Sequence, residues 1–168
     1  MGPAVLLLLA MLAAAVPDLV PNWLGVASSP PDLFAALAVF LALRADGYGA
    51  VPWAILLGLA EDASSLDPAG CHAFALGAAA LALSRPRSSP ASTGAGRAFA
   101  VAGGTLLAHV IYVLRMIPVA PEGLGLAALF GGVAVAFWTG LLSWPLLSLL
   151  ERTRALDGLV GRTRGAST

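Results

Sequence analysis

Six apolar stretches, separated by short polar breaks, run along the chain at residues 3–16, 32–44, 48–61, 69–84, 97–117 and 124–150. A helix that crosses a bilayer needs about 20 apolar residues, within a range of roughly 17–25. The fifth and sixth stretches meet that length alone, and the first stops at Pro17-Asp18. The difficult region is 33–60, where Arg44-Ala45-Asp46-Gly47 sits in the middle. As one helix it would bury an arginine and an aspartate at the bilayer centre, at a cost of several kcal/mol. As two helices each has about 15 residues and spans about 22 Å. Asp46 and Gly47 favour a turn, and short spans are accommodated by local thinning or by burial within a bundle. The pattern therefore predicts a six-helix domain over 1–151. Residues 85–96, rich in Pro, Ser and Gly, read as a flexible loop, and 152–168 as a short basic tail.

Composition turns six helices into six spans. Of 168 residues, 59% are hydrophobic and 11% charged, and the net charge is zero; the mean hydropathy is +0.89. A soluble globule carries about 25% charged residues, so this chain has too few to cover a surface in water. Disorder is excluded on the same grounds. All nine basic residues are arginine, and no basic arm for nucleic acid exists. The single cysteine, Cys71, excludes an internal disulfide. With six spans, Arg44, Arg85, Arg87, Arg97, Arg152, Arg154, Arg162 and Arg164 share one side, and only Arg115 lies opposite. The positive-inside rule then puts both termini in the cytoplasm. Residues 6–15 resemble a signal-peptide core, but no Arg or Lys precedes them, so the first stretch is read as retained.

Helices in lipid pack through small residues that let backbones approach. Ala50, Ala54 and Gly58, extended by Asp62, share one face of the third helix; Ala100, Gly104 and Ala108 share one of the fifth. The longest ridge is Ala128, Gly132, Ala136 and Gly140 on the sixth. It is expected to close the bundle internally, the other role being a face for a partner's helix. Trp138 and Trp144 mark an aromatic belt near Pro145, which is expected to kink that helix.

The densest polar segment runs from Glu61 to His72. It holds three carboxylates, a thiol and an imidazole, yet adjacent Cys71 and His72 diverge by about 100° on a helix, and closed zinc sites need paired ligands. The expectation is a solvated, capped loop with Asp67-Pro68 starting a helix. Asp46-Gly47, Gly58 and Asp62 partly match the CDP-alcohol phosphotransferase motif. Val51 replaces its arginine, Leu66 its last aspartate, and the two aspartates fall about 24 Å apart along one helix, so that activity is set aside. His109 is expected to make an interhelical hydrogen bond and Arg115 to snorkel outward. No nucleophile elbow, phosphate loop or base–nucleophile pair is present; neither an enzyme nor a cofactor is expected.

Two segments carry a family resemblance. Pro31-Asp32-Leu33 looks like the helix start of MreD, the bacterial rod-shape-determining membrane protein. Residues 58–74 resemble that family's glycine, aspartate four positions on, polar turn and P-x-G-x-H-A; Gly58, Asp62, Pro68, Gly70, His72 and Ala73 fall on the pattern. Cys71 and Glu61 depart from it. The resemblance covers about a quarter of the chain. It implies a non-enzymatic inner-membrane protein that binds the single-span protein MreC. The complex would include MreB, RodA and a class B penicillin-binding protein, acting in peptidoglycan synthesis and cell shape. The implied fold is a six-helix bundle similar to the substrate-binding components of energy-coupling-factor transporters. That kinship supplies the alternative, a vitamin-binding transporter component with an outward pocket lined by the 61–72 segment and Arg115. Few polar side chains beyond His109, Thr105 and Tyr112 are expected inside. Asp62 is read as a structural cap, with Asp62→Asn tolerated and Asp62→Leu not.

Overall fold

The computed structural model describes residues 2–19, 30–45, 47–65, 67–84, 94–118 and 126–153. Among these the chain is all-helical, with no strand. The helices are α1 (Gly2–Leu19), α2 (Leu33–Arg44), α3 (Val51–Ser64), α4 (Cys71–Leu83), α5 (Gly94–Met116) and α6 (Leu126–Thr153).

Several boundaries have a clear local cause. Asp32 caps α2: its side chain accepts from the Ala35 N–H at 2.7 Å, satisfying a donor that the first turn leaves unpaired. α3 begins three residues after the expected position. Tyr48–Ala50 form a turn closed by Val51 N–H donating to the Tyr48 carbonyl, and Pro52 occupies the first turn of α3, where a missing N–H costs nothing. Gly47 takes a left-handed φ of 60°, which fits the predicted reversal; Asp46 lies outside the described residues. α5 starts at Gly94 and so takes 94–96 out of the predicted loop, because its first turns pack on α6. A side-chain carbon at Gly140 would sit 2.8 Å from the Ala102 Cβ and 3.1 Å from the Ala98 carbonyl oxygen. The remainder of that loop, 85–93, and the tail from 154 lie outside the described residues, while Arg152 and Thr153 continue α6.

α2 is the hub. Every residue from Phe34 to Ala42 is buried, and the helix touches all five others. A helix apolar on every side has no face to offer water, and the neighbours surround it. α1 lays Leu6, Ala10 and Ala13 against this core, a spacing that puts all three on one side. α3 and α4 pair antiparallel, as do α5 and α6. Alanine is the commonest buried residue, packed with Phe34, Leu37, Phe40 and Leu41, while other large apolar side chains stand outside: Phe99 is 79% exposed, Phe130 70% and Met11 64%. Buried Ser84 and Ser143 donate to carbonyls of their own helices, Ala80 at 2.6 Å and Gly140 at 2.8 Å.

Among the described residues one helical stretch, Ala95–Met116, is long and apolar enough by itself to cross a membrane. Ala4–Ala14, Leu33–Arg44, Cys71–Leu83 and Phe130–Leu146 are shorter apolar helices. Pro145 lies within α6, which continues beyond it to Thr153.

Candidate functional site

The two segments that carry the family resemblance meet at one end of the bundle. The meeting begins with Gly58. A side-chain carbon there would collide with the Ala73 backbone, so α3 and α4 touch main chain to main chain. That contact brings Asp62, one turn further along α3, over the start of α4.

Asp62 is 8% exposed and spends both oxygens on that helix start. Oδ2 accepts from the N–H groups of Gly70 at 2.8 Å and Ala73 at 3.3 Å. Oδ1 accepts from the His72 N–H at 3.0 Å and from the His72 ring Nδ1 at 2.9 Å. The first N–H groups of a helix have no partner within it, and a carboxylate suits the positive end of the helix dipole. The cap is thus supplied from α3 and not, as Asp67-Pro68 led one to expect, from inside the turn. Gly70 makes this possible by taking φ 89°, a left-handed conformation that side chains disfavour. Pro68 is exposed and contributes its carbonyl, which accepts from the Cys71 N–H at 3.3 Å. Cys71 is buried against Met116, with the sulfurs 3.8 Å apart.

His72 links this clamp to the rest of the end. Its Nδ1 faces the Asp62 carboxylate, which only accepts, so Nδ1 carries a proton. Its Nε2 lies 3.5 Å from Glu61 Oε1 and 3.9 Å from Asp67 Oδ2. The ring stacks on Tyr112 of α5, centroids 4.5 Å apart. Tyr112 lies 6.2 Å from the ring of His109, whose Nε2 donates to the Ala128 carbonyl at 3.1 Å, the interhelical bond anticipated for it.

These groups surround a cavity of about 480 Å³. Its lining includes Pro31, Asp32, Glu61, Asp67, His72, His109 and Tyr112, with the apolar Leu33, Phe34, Leu76 and Val135. Asp32 is held there by a second bond, its N–H donating to Thr139 Oγ1 on α6 at 2.8 Å. The expectation of a solvated loop over 61–72 is therefore corrected at Glu61, Asp62 and His72, while Ser64, Pro68 and Ala69 are exposed as expected. Glu61 and His72 side chains are each only 16% exposed, and Glu61 Oε2 is buried without a hydrogen-bond partner. The interior is also more polar than expected, with Asp32, Glu61, Thr139 and Ser143 added to His109, Thr105 and Tyr112. Arg115 is exposed and does not line the cavity.

Of the residues singled out from sequence, Gly58, Asp62, Pro68, Gly70 and His72 form the clamp, and Pro31, Asp32 and His72 line the cavity. Glu61 stood outside the family pattern, and Tyr112 is far away in sequence; neither was marked as a site residue. Among the described residues no three His, Cys, Asp or Glu side chains are grouped so as to hold a metal ion. The α6 ridge faces α5. A side-chain carbon on Gly132 would run into the His109 ring, and Gly140 meets Ala98 and Ala102. Ala136 is buried and Ala128 half-buried along the same side.

Comparison of the chain with known family models, curated proteins and solved structures gives no match.

Proposed function

We propose that the chain is an MreD-like, non-enzymatic component of the bacterial inner membrane. It spans the bilayer six times with both termini in the cytoplasm and binds an MreC-like single-span protein. Through that partner it joins the cell-elongation complex with MreB, RodA and a class B penicillin-binding protein. The observation that carries the reading is the meeting of its two resemblance segments. Pro31 and Asp32 line a cavity together with His72, and Gly58, Asp62, Gly70 and His72 build the helix clamp beside it.

The membrane part of the reading rests on the many large apolar side chains that face outward. Phe99, Phe130, Phe137, Met11 and several leucines stand exposed on the outside of the helices, an arrangement that suits lipid. The short α2 fits because it is enclosed by its neighbours. The arginine asymmetry then puts the clamp on the outer face.

The test is co-purification in detergent with an MreC-like single-span, coiled-coil protein. The reading predicts a stable complex that survives size-exclusion chromatography. Recovery of the chain without that protein, at levels where both are well expressed, contradicts it. The cavity favours a second reading, a vitamin-binding transporter component, because such a protein needs an enclosed site with converging polar groups. Under that reading the chain would instead co-purify with a transporter's energising subunits.

A further inference from the structure

His72 has acids on both edges of its ring. On one edge Asp62 of α3 accepts from Nδ1 at 2.9 Å. Because Asp62 also caps three backbone N–H groups, it acts only as an acceptor and keeps the ring proton on Nδ1. On the other edge Glu61 Oε1 lies 3.5 Å from Nε2, at the outer limit of a hydrogen bond. Asp67 Oδ2, in the turn before α4, is 3.9 Å from the same nitrogen, beyond that limit. Across the cavity stand Asp32 at the start of α2 and His109 and Tyr112 of α5, while α1 and α6 contribute only Ala13, Ala14 and Val135 to the wall.

The second edge is where a proton has to be placed. With Nδ1 protonated, a neutral His72 turns a lone pair at Nε2 toward Glu61. An ionised Glu61 would then face that lone pair with Oε1 and leave Oε2 buried without a partner, a costly arrangement for a buried charge. One proton between Oε1 and Nε2 removes the conflict, whether it is drawn on the acid or on the ring, and the two side chains titrate as a unit. Both are enclosed: each is only 16% exposed, and the ring is stacked on Tyr112 with centroids 4.5 Å apart.

We propose that Glu61 and His72 form a proton-operated latch at the α3–α4 junction: the folded chain holds one proton between them, and the junction loosens when that proton is lost. Once it is gone, the carboxylates of Glu61, Asp62 and Asp67 surround a neutral ring, and Glu61 is repelled from the start of α4. The sign follows from counting protons. In the unfolded chain a carboxyl is ionised above about pH 4.3 and an imidazole is neutral above about pH 6.5. From there until the shared proton is released, the folded state holds one proton more than the unfolded state, so stability falls as pH rises through that interval. The inference goes beyond the assembly role, and its test does not involve the partner protein.

The experiment follows thermal unfolding of the full chain in detergent between about pH 6.5 and 9.5, for wild type and Glu61→Gln. The Gln amide donates to Nε2 at every pH, so this variant carries the latch permanently closed. Wild-type Tm is expected to fall by about 4 °C or more beyond any fall in Glu61→Gln, the worth of one hydrogen bond at a charged group. Parallel Tm curves for the two proteins overturn the proposal. If Glu61→Gln does not fold, nitrogen-15 NMR of labelled histidine, of which the chain has two, decides on wild type alone. The His72 Nε2 resonance should be that of a hydrogen-bonded nitrogen at neutral pH and move to that of a free lone pair in the interval where Tm falls. A free lone pair already present at neutral pH, or no movement in that interval, overturns the proposal.

Discussion

The α3–α4 and α5–α6 pairs solve the same packing problem with different materials. Both are antiparallel, and both use glycine to bring helices close. At α3–α4 the Gly58 notch receives the Ala73 backbone itself, and Asp62 then ties the two helices through four N–H groups. At α5–α6 the Gly132 notch receives a side chain, the His109 ring, which is held by one bond to the Ala128 carbonyl. The first junction has no freedom to adjust, because main chain cannot move aside; the second has a ring that can rotate. Both junctions border the cavity, the fixed one through Glu61 and His72 and the adjustable one through His109; a recognition site gains its preorganisation from the fixed one.

That contrast orders the expected effects of substitution. Gly58→Leu forces α3 and α4 apart along their whole length and breaks the Asp62 clamp with them. It should cost at least about 3 kcal/mol, the upper end of overpacking penalties, and should abolish folded protein in detergent as read by size-exclusion profile. Survival of a monodisperse, heat-cooperative Gly58→Leu protein would break the claim of backbone contact.

Asp62→Leu comes next. It strands the N–H groups of Gly70, His72 and Ala73, each worth about 1–3 kcal/mol when buried and unpaired. Asp62→Asn is now expected to be damaging as well, which revises the tolerance inferred from sequence. Both carboxylate oxygens accept two N–H groups, so an amide nitrogen must face two donors whichever way it is turned. A Tm drop for Asn about half that for Leu fits the clamp. An Asn variant as stable as wild type would show that one oxygen suffices.

The α5–α6 junction should respond more mildly. Gly132→Ala displaces the His109 ring and its bond to Ala128, at about 1–2 kcal/mol, and Gly132→Leu costs more. Val133→Leu, exposed and about 100° around the helix, should leave Tm within experimental error. Equal Tm values for the Gly132 and Val133 variants would mean that α5 does not occupy the ridge.

The parts of this molecule that sequence reveals are those governed by local chemistry. The split at Arg44–Gly47 is legible because charge and glycine interrupt an apolar run. Asp32 is legible as a cap because the donor it satisfies lies three residues away. Asp62 was recognisable as a capping residue, but the helix it caps could be identified only once Gly58 had placed α4 beneath it. The all-round burial of α2 was not legible, since an apolar helix that faces lipid and one enclosed by protein share the same composition. The cavity was hidden for a similar reason. Glu61 and Tyr112 lie 51 positions apart, and nothing local in either segment indicates that the α4–α5 pairing sets Tyr112 on the His72 ring. Reading 61–72 as solvated followed from its polarity, because burial of a carboxylate next to another is the less common outcome.

The most direct measurement is the side of the membrane on which the clamp lies, because the six-span topology of the proposed assembly role requires it to face outward. On a Cys71→Ser background, Ser64→Cys places a thiol at an exposed position at the end of α3, and Arg87→Cys places one in the basic loop after α4. The six-span account predicts that a membrane-impermeant maleimide labels Ser64→Cys in intact cells and Arg87→Cys only after permeabilisation. Labelling of Arg87→Cys in intact cells, with Ser64→Cys protected until the membrane is opened, would contradict it.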